Sequence, residues 1–408
     1  MFYFSSLPCA ENMTTYTILI ILSGLVIFSY LFDLVASKTK VPSVLLLLLL
    51  GIGLRFLVDY LQIHTFNFLS ILPMLGTVGL ILIVFEGSLE LKYDQHKNKV
   101  IRTALLSALS VLLGSIAVIT AIIYQITHQD LYTCMANAIP FSVISSAIAI
   151  PSAAALGNKD REFVIYESSF SDILGVIIFN FAITNHGFST SAVIGLGLST
   201  FLIVLLSAIA CVVLLYIMGR LVHHIKFFLI IAILILVYAI GQSYHLSSLV
   251  LILSTGLFLN NADTIRNVWF RSVFLYKNLS ADLSQLYQLS AESAFILRTF
   301  FFVIFGFTMN LNELNNQNVL ANGFFILLAI YLIRLVFLKV FKKENLSPIL
   351  YIAPRGLISI LLYLHLPDNL KIPGVGTPFL FLVVLGSSII MTLGITLSKR
   401  KTAEIPKV

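Results

Sequence analysis

Charge is what this chain lacks. Only 11% of its 408 residues are Asp, Glu, Lys or Arg, and 59% are hydrophobic. Soluble domains carry about 25% charged residues, so this composition cannot solvate a globular surface and reads as an all-α polytopic membrane protein. Cysteine is scarce too. Cys9, Cys134 and Cys211 form no CxxC or other ligand spacing, which argues against a disulfide framework or a zinc site. There is no P-loop, HExxH or GxSxG, so neither ATP hydrolysis nor zinc protease chemistry is supported. The chain is therefore not read as an enzyme. No cofactor, resident metal or nucleic-acid partner is expected, and the apolar segments leave no room for a sizeable soluble domain.

What the chain has is long hydrophobic runs. Segments of about 20 apolar residues cross a bilayer as helices, because only a helix or a closed barrel satisfies its backbone there. About thirteen are read: 16–35, 41–58, 68–89, 103–124, 131–156, 162–183, 191–219, 227–241, 246–259, 290–308, 319–338, 347–366 and 375–397. The loop cations alternate. Lys38 and Lys40; Lys92, Lys97, Lys99 and Arg102; Lys159 and Arg161; Arg220 and Lys226; Arg266, Arg271 and Lys277; Lys339, Lys342 and Lys343; and Lys399, Arg400, Lys401 and Lys407 all fall on one side. The other side holds only Arg55 and Lys371. The positive-inside rule then puts the N-terminus outside and the C-terminus in the cytoplasm, in a plasma or inner membrane.

This partition requires 227–259 to be a hairpin, which supports the short segment 246–259. With an odd number of crossings, 16–183 and 227–397 become repeats of opposite direction joined by a connecting helix, 191–219. Inverted repeats are a transporter architecture, with the substrate site near the midplane. On this reading 1–408 is a single transport domain. A cytoplasmic linker at 260–289 carries an interfacial helix, and 398–408 is a short basic tail.

Two acids interrupt the sixth segment, Glu167 and Asp172. A carboxylate at that depth costs roughly 2.5–3.5 kcal/mol, so such acids usually line ion or proton pathways. Ser168 and Ser169, four and three residues before Asp172, share its face. Glu167 lies five residues away, about 140° round the helix, and should meet a different partner. Arg355 is the expected one, with Arg334 as runner-up, in a fixed ion pair. The fifth segment contains Pro140 and Pro151 among Ser142, Ser145, Ser146 and Ser152, and its counterpart contains Pro348, Pro354 and Gly356. Proline frees backbone carbonyls, and two broken helices at matching positions point to a binding site. Glu86, Glu90 and Asp33 read as solvated charges near cytoplasmic ends. Glu292 and Arg298 are expected to organise helix packing or to snorkel.

Glu167-Ser-Ser-Phe-Ser-Asp172 resembles the Glu-Ser-x-x-Asn-Asp signature of the monovalent cation:proton antiporter superfamily, in its sodium/proton exchanger branch. Phe85-Glu86-Gly87-Ser88-Leu89-Glu90, Pro354-Arg355-Gly356-Leu357 and Phe301-Phe302-Val303-Ile304-Phe305-Gly306 match further motifs. The resemblance implies a thirteen-helix inverted-repeat fold with two broken crossing helices, commonly a homodimer, that exchanges Na+ or another alkali cation, K+ or Li+, for H+ and serves pH homeostasis. It implies Asp172 as the ion carrier and Glu167–Arg355 as the ion pair. Ser145, Ser146, Ser168, Ser169 and Ser171 are candidates to complete the ion and proton site. Two positions depart from the pattern: Ser171 replaces the Asn before the aspartate, and Ser145-Ser146 replaces the Thr-Asp of the unwound helix. The absence of that second acid keeps open an alternative, an ion channel or pH-responsive membrane sensor on the same fold.

Overall fold

The computed structural model describes residues 15–39, 41–61, 72–90, 97–154, 156–184, 190–220, 226–243, 248–265, 267–309, 317–341 and 346–398. The tail beyond Ser398 and the loop cations Lys40, Lys92, Arg266, Lys342 and Lys343 lie outside them. The described chain is helical: α1 (Thr15–Thr39), α2 (Ser43–Leu61), α3 (Leu72–Glu90), α4 (Asn98–Thr127), α5 (Leu131–Ser142), α6 (Ser146–Ala153), α7 (Asn158–Thr184), α8 (Thr190–Arg220), α9 (Lys226–Ser243), α10 (Ser248–Asn260), α11 (Val268–Phe274), α12 (Leu279–Thr308), α13 (Gln317–Phe341), α14 (Leu357–Leu364) and α15 (Thr377–Leu397). Among the described residues, seven spans are long and apolar enough to cross a membrane, α5 and α6 counting together as one, and four further apolar helices are shorter.

Packing sorts these helices into two groups. In one, α12 lies against α2 and α3, and α10 against α3, α8 and α9. In the other, α4 packs on α5, α7 and α13, α13 on α15, and α14 on α5. The groups meet where α10 touches α7 and where α14 touches α3. Small residues set the close crossings, as in membrane helix pairs generally. A Cβ on Gly51 would collide with the Val303 carbonyl, and one on Gly306 with the Leu48 carbonyl, so α2 and α12 touch backbone to backbone.

Two elements depart from the expected boundaries. The helix expected at 290–308 begins at Leu279, so it takes over the last third of the expected linker 260–289. Its first turn is polar and carries Asp282, which favours the helix N-terminus and accepts a hydrogen bond from the Tyr276 hydroxyl. Hydropathy marks only the part of a helix that lies in lipid, so this extension left no hydrophobic signal. The short α11 in the remaining linker is capped by Asn267, which accepts from the Trp269 and Phe270 amides, and it exposes Val268, Trp269 and Val273.

The breaks also sit differently from the prolines. The first helix opens at 143–145, while Pro140 lies inside α5 and Pro151 inside α6. In the second, a 3-10 turn, Ile349–Tyr351, leads into an irregular, non-helical stretch at 352–356 that contains Pro354 and Gly356.

Candidate functional site

The two breaks cross and hold each other. The Ser145 amide donates to the Pro354 carbonyl at 2.9 Å. Gly356 makes the approach possible, since a Cβ there would lie 2.6 Å from Ser145 Oγ and 2.8 Å from Ile148 Cδ1. α7 closes in from the side: a Cβ on Gly175 would strike the Val143 side chain. Ser171 Oγ accepts the Ile144 amide at 2.9 Å. Backbone groups freed in a membrane must find such partners, and here the other break and α7 supply them for the amides of Ile144, Ser145 and Ser146.

Asp172 sits at this crossing. Its Oδ2 accepts the Ser146 amide at 3.0 Å, at the start of α6. A helix N-terminus carries unpaired amides and a partial positive charge, which favour an anion. Its Oδ1 is buried with no hydrogen-bond partner, although the residue retains 7% of its exposure. The carboxylate borders a cavity of about 20 Å³, above the roughly 10–15 Å³ that admits one water. Ser146 and Ser169 are the other polar residues in its wall, and Ser169 Oγ is likewise buried and unpartnered. Ile83, Val84 and Gly87 of α3, with Leu249 and Leu253 of α10, close the far side. The cavity therefore lies between the two helix groups, with its carboxylate on one and an apolar wall on the other.

The remaining candidate serines point elsewhere. Ser168 Oγ bonds back to the Val164 carbonyl of its own helix at 2.8 Å. Ser171 is engaged with the first break, and the buried Ser145 faces Gly356.

Glu167 meets Arg334, the runner-up, and not the expected Arg355. Its Oε2 lies 2.8 Å from Arg334 Nη2, and Oε1 accepts from Ser107 Oγ at 2.7 Å. The reason is where the guanidinium of Arg355 is spent. Its Nε donates to the Phe141 carbonyl at 2.7 Å and its Nη1 to the Ala353 carbonyl at 3.1 Å. Arg355 thus caps the C-terminal end of α5, where carbonyls are unpaired and a cation is favoured. Arg334 does similar work at the second break, with Nη2 3.0 Å from the Ile349 carbonyl. Both arginines are fully buried, and the carbonyls opened by the breaks offset part of their desolvation.

One polar link escaped the sequence reading. Arg298 does not associate with the exposed Glu292; its Nη2 lies 3.5 Å from Glu86 Oε2 and its Nη1 3.4 Å from the Ala147 carbonyl, beside Ser146. The available signal was that Arg298 and Glu86 both interrupt apolar helices. Ser107, an ordinary-looking helical serine, offered none.

No curated protein sequence matches the chain significantly. Among solved structures, it is similar to that of the sodium proton antiporter MjNhaP1 from Methanocaldococcus jannaschii at pH 8, with a TM-score of 0.71 and 20% identity over 93% of this chain and 100% of that one. A second structure of MjNhaP1, from an electron-microscopy map, matches with a TM-score of 0.64 and 19% identity over 94% and 96% of the respective chains. The family profile described as "Sodium/hydrogen exchanger, transmembrane" matches residues 22–399. Spanning nearly the whole sequence, that match shows that the chain belongs to the transmembrane sodium/hydrogen exchanger family.

Proposed function

We propose that the protein is a secondary antiporter that exchanges a monovalent cation, Na+ ahead of K+ or Li+, for H+ by competition at Asp172. The single observation that carries the reading is the unpartnered Asp172 Oδ1 at a water-sized cavity between two helix groups. An ionised carboxylate there is poorly solvated. Either a proton or a cation relieves its charge, and each excludes the other. Ser146 and Ser169 supply further oxygens for a hard alkali cation. The amide of Ser146 holds the second carboxylate oxygen in place.

Alternating access follows as movement of the α4–α7, α13–α15 group against the group built on α3, α10 and α12. The crossing at Ser145 and Pro354 carries Asp172 with it. Because Glu167 is held by Arg334, one carboxylate changes charge per cycle. One cation then moves per proton, and transport is electroneutral. The same reading takes the chain as about thirteen crossings in two inverted repeats, 16–183 and 227–397, assembled as a homodimer with its N-terminus outside. The pairing of two broken helices, one in each half, supports that symmetry.

Proteoliposomes with a trapped pH dye test the assignment. Adding Na+, K+ or Li+ should move the internal pH without ionophore, and Asp172→Asn should abolish the response while leaving melting temperature and yield unchanged. Wild-type flux in that variant would remove Asp172 from the mechanism. Flux that appears only under an imposed potential would favour a channel, and a rate that tracks voltage would exclude the one-for-one stoichiometry.

A further inference from the structure

α4 and α13, two helices long and apolar enough to cross the membrane, touch closely at one level and line a groove beyond it. The contact is at Gly114, where a Cβ would fall 2.7 Å from Phe337 Cε2 and 3.2 Å from Ile333 Cγ2. Arg334, next to Ile333 on α13, pairs with the buried Glu167, which also accepts from Ser107, two turns before Gly114 on α4. The helices are therefore pinned at one end. Toward the end of α4 and the start of α13 a groove of about 710 Å³ runs between them.

The lining of this groove is graded. From Phe337 and Val118 outward it is aliphatic and aromatic, with Ala329 at its floor and Phe325 on its rim, 54% exposed. Its two polar residues, Gln125 near the end of α4 and Asn322 near the start of α13, belong to the lining toward that end. Along α13 the groove runs from Phe337 to Asn322, fifteen residues and about 22 Å at the helical rise. That is more than one leaflet of a hydrocarbon core about 30 Å thick.

We propose that this groove binds an acyl chain of a phospholipid from the surrounding bilayer, with Gln125 and Asn322 holding its ester and phosphate oxygens. The wall is apolar, so water gains no partners there, and close packing of the interior favours hydrocarbon filling the groove. The two amides supply donors without charge, so the site recognises the glycerol-phosphate region common to phospholipids and does not select an anionic headgroup. A lipid here wedges apart the helices that flank Glu167 on two sides. On the orientation proposed above it comes from the non-cytoplasmic leaflet, but the site itself requires only that both helices span the membrane.

Two measurements test it without reference to ion transport. Native mass spectrometry of the protein released from mild detergent should show a phospholipid retained on each protomer. Ala329→Trp, which fills the floor, should lose one such lipid, and Asn322→Leu should weaken its retention; unchanged lipid stoichiometry in both would overturn the site. Should Ala329→Trp fold poorly, Phe325→Trp in a Trp269→Phe background reads the rim directly. Its fluorescence should be quenched by a chain-brominated phospholipid at mole fractions several-fold below those needed by Leu393→Trp, on the exposed face of α15. Equal dependence on mole fraction at both positions would mean ordinary boundary lipid and no site. Efficient disulfide dimerisation of Leu328→Cys in membranes would instead make the face a contact between two copies, and would equally overturn the proposal.

Discussion

Glu167 and Arg334, 167 residues apart in sequence, form an ion pair at 2.8 Å with both side chains excluded from solvent. Breaking a buried pair leaves the survivor uncompensated, at a cost of about 3–5 kcal/mol in soluble proteins. Glu167→Ala and Arg334→Ala should therefore each lower thermal stability strongly. The double variant should cost less than their sum. A cycle between Glu167 and Arg355 should show a much smaller coupling, because Arg355 is occupied by the Phe141 and Ala353 carbonyls. Equal couplings in the two cycles would overturn this division of labour.

Competition at one carboxylate has a definite pH signature. A proton bound at Asp172 blocks the cation, so lowering the pH through the titration of the site weakens apparent cation affinity by about tenfold per pH unit for a one-for-one exchange. By reciprocity, saturating cation should shift the proton dependence to lower pH. Initial rates in proteoliposomes over a matrix of pH and Na+ concentration give the slope. A slope of two would require a second titrating group.

The crossing of the broken helices depends on the missing side chain at Gly356. Gly356→Ala would place a methyl group against Ser145 Oγ and Ile148 Cδ1, and overpacking of this sort costs about 1–3 kcal/mol. The melting temperature should fall, and Ser145→Gly should recover part of the loss. No recovery would mean that the two breaks do not limit each other.

Arg298 brings a second cation to the edge of the site, balanced by Glu86 at 3.5 Å. Glu86→Gln removes that balance beside the α6 N-terminus. Apparent cation affinity should weaken by about 1 kcal/mol, roughly fivefold. Glu86→Gln with Arg298→Gln should restore it. Flux assays at several Na+ concentrations separate this affinity effect from loss of folded protein.

Much of the fold was legible from local chemistry. α10, at Ser248–Asn260, stands at the short apolar segment that the loop cations require as the second arm of a hairpin. The extension of α12 back to Leu279 was not legible, since a helix that leaves the lipid turns polar and drops out of any hydrophobic pattern. At the site, Asp172 and Ser146 are close, as a broken helix beside an intramembrane acid suggested. Ser168 shares the Asp172 face by helical spacing, yet its hydroxyl is consumed by the Val164 carbonyl. Helical spacing assigns a side chain to a face, but a hydroxyl on that face still chooses between its own backbone and a neighbour.

By itself the sequence determined the helical membrane class and where most of the apolar helices lie, because the cost of inserting each residue is largely local. Tertiary structure alone decided that Glu167 takes Arg334, that Arg355 caps α5, and that Asp172 keeps one oxygen for the cavity. Those outcomes depend on which carbonyls the two breaks expose and which cation lies within reach once distant helices cross, and neither is encoded in residue spacing along the chain.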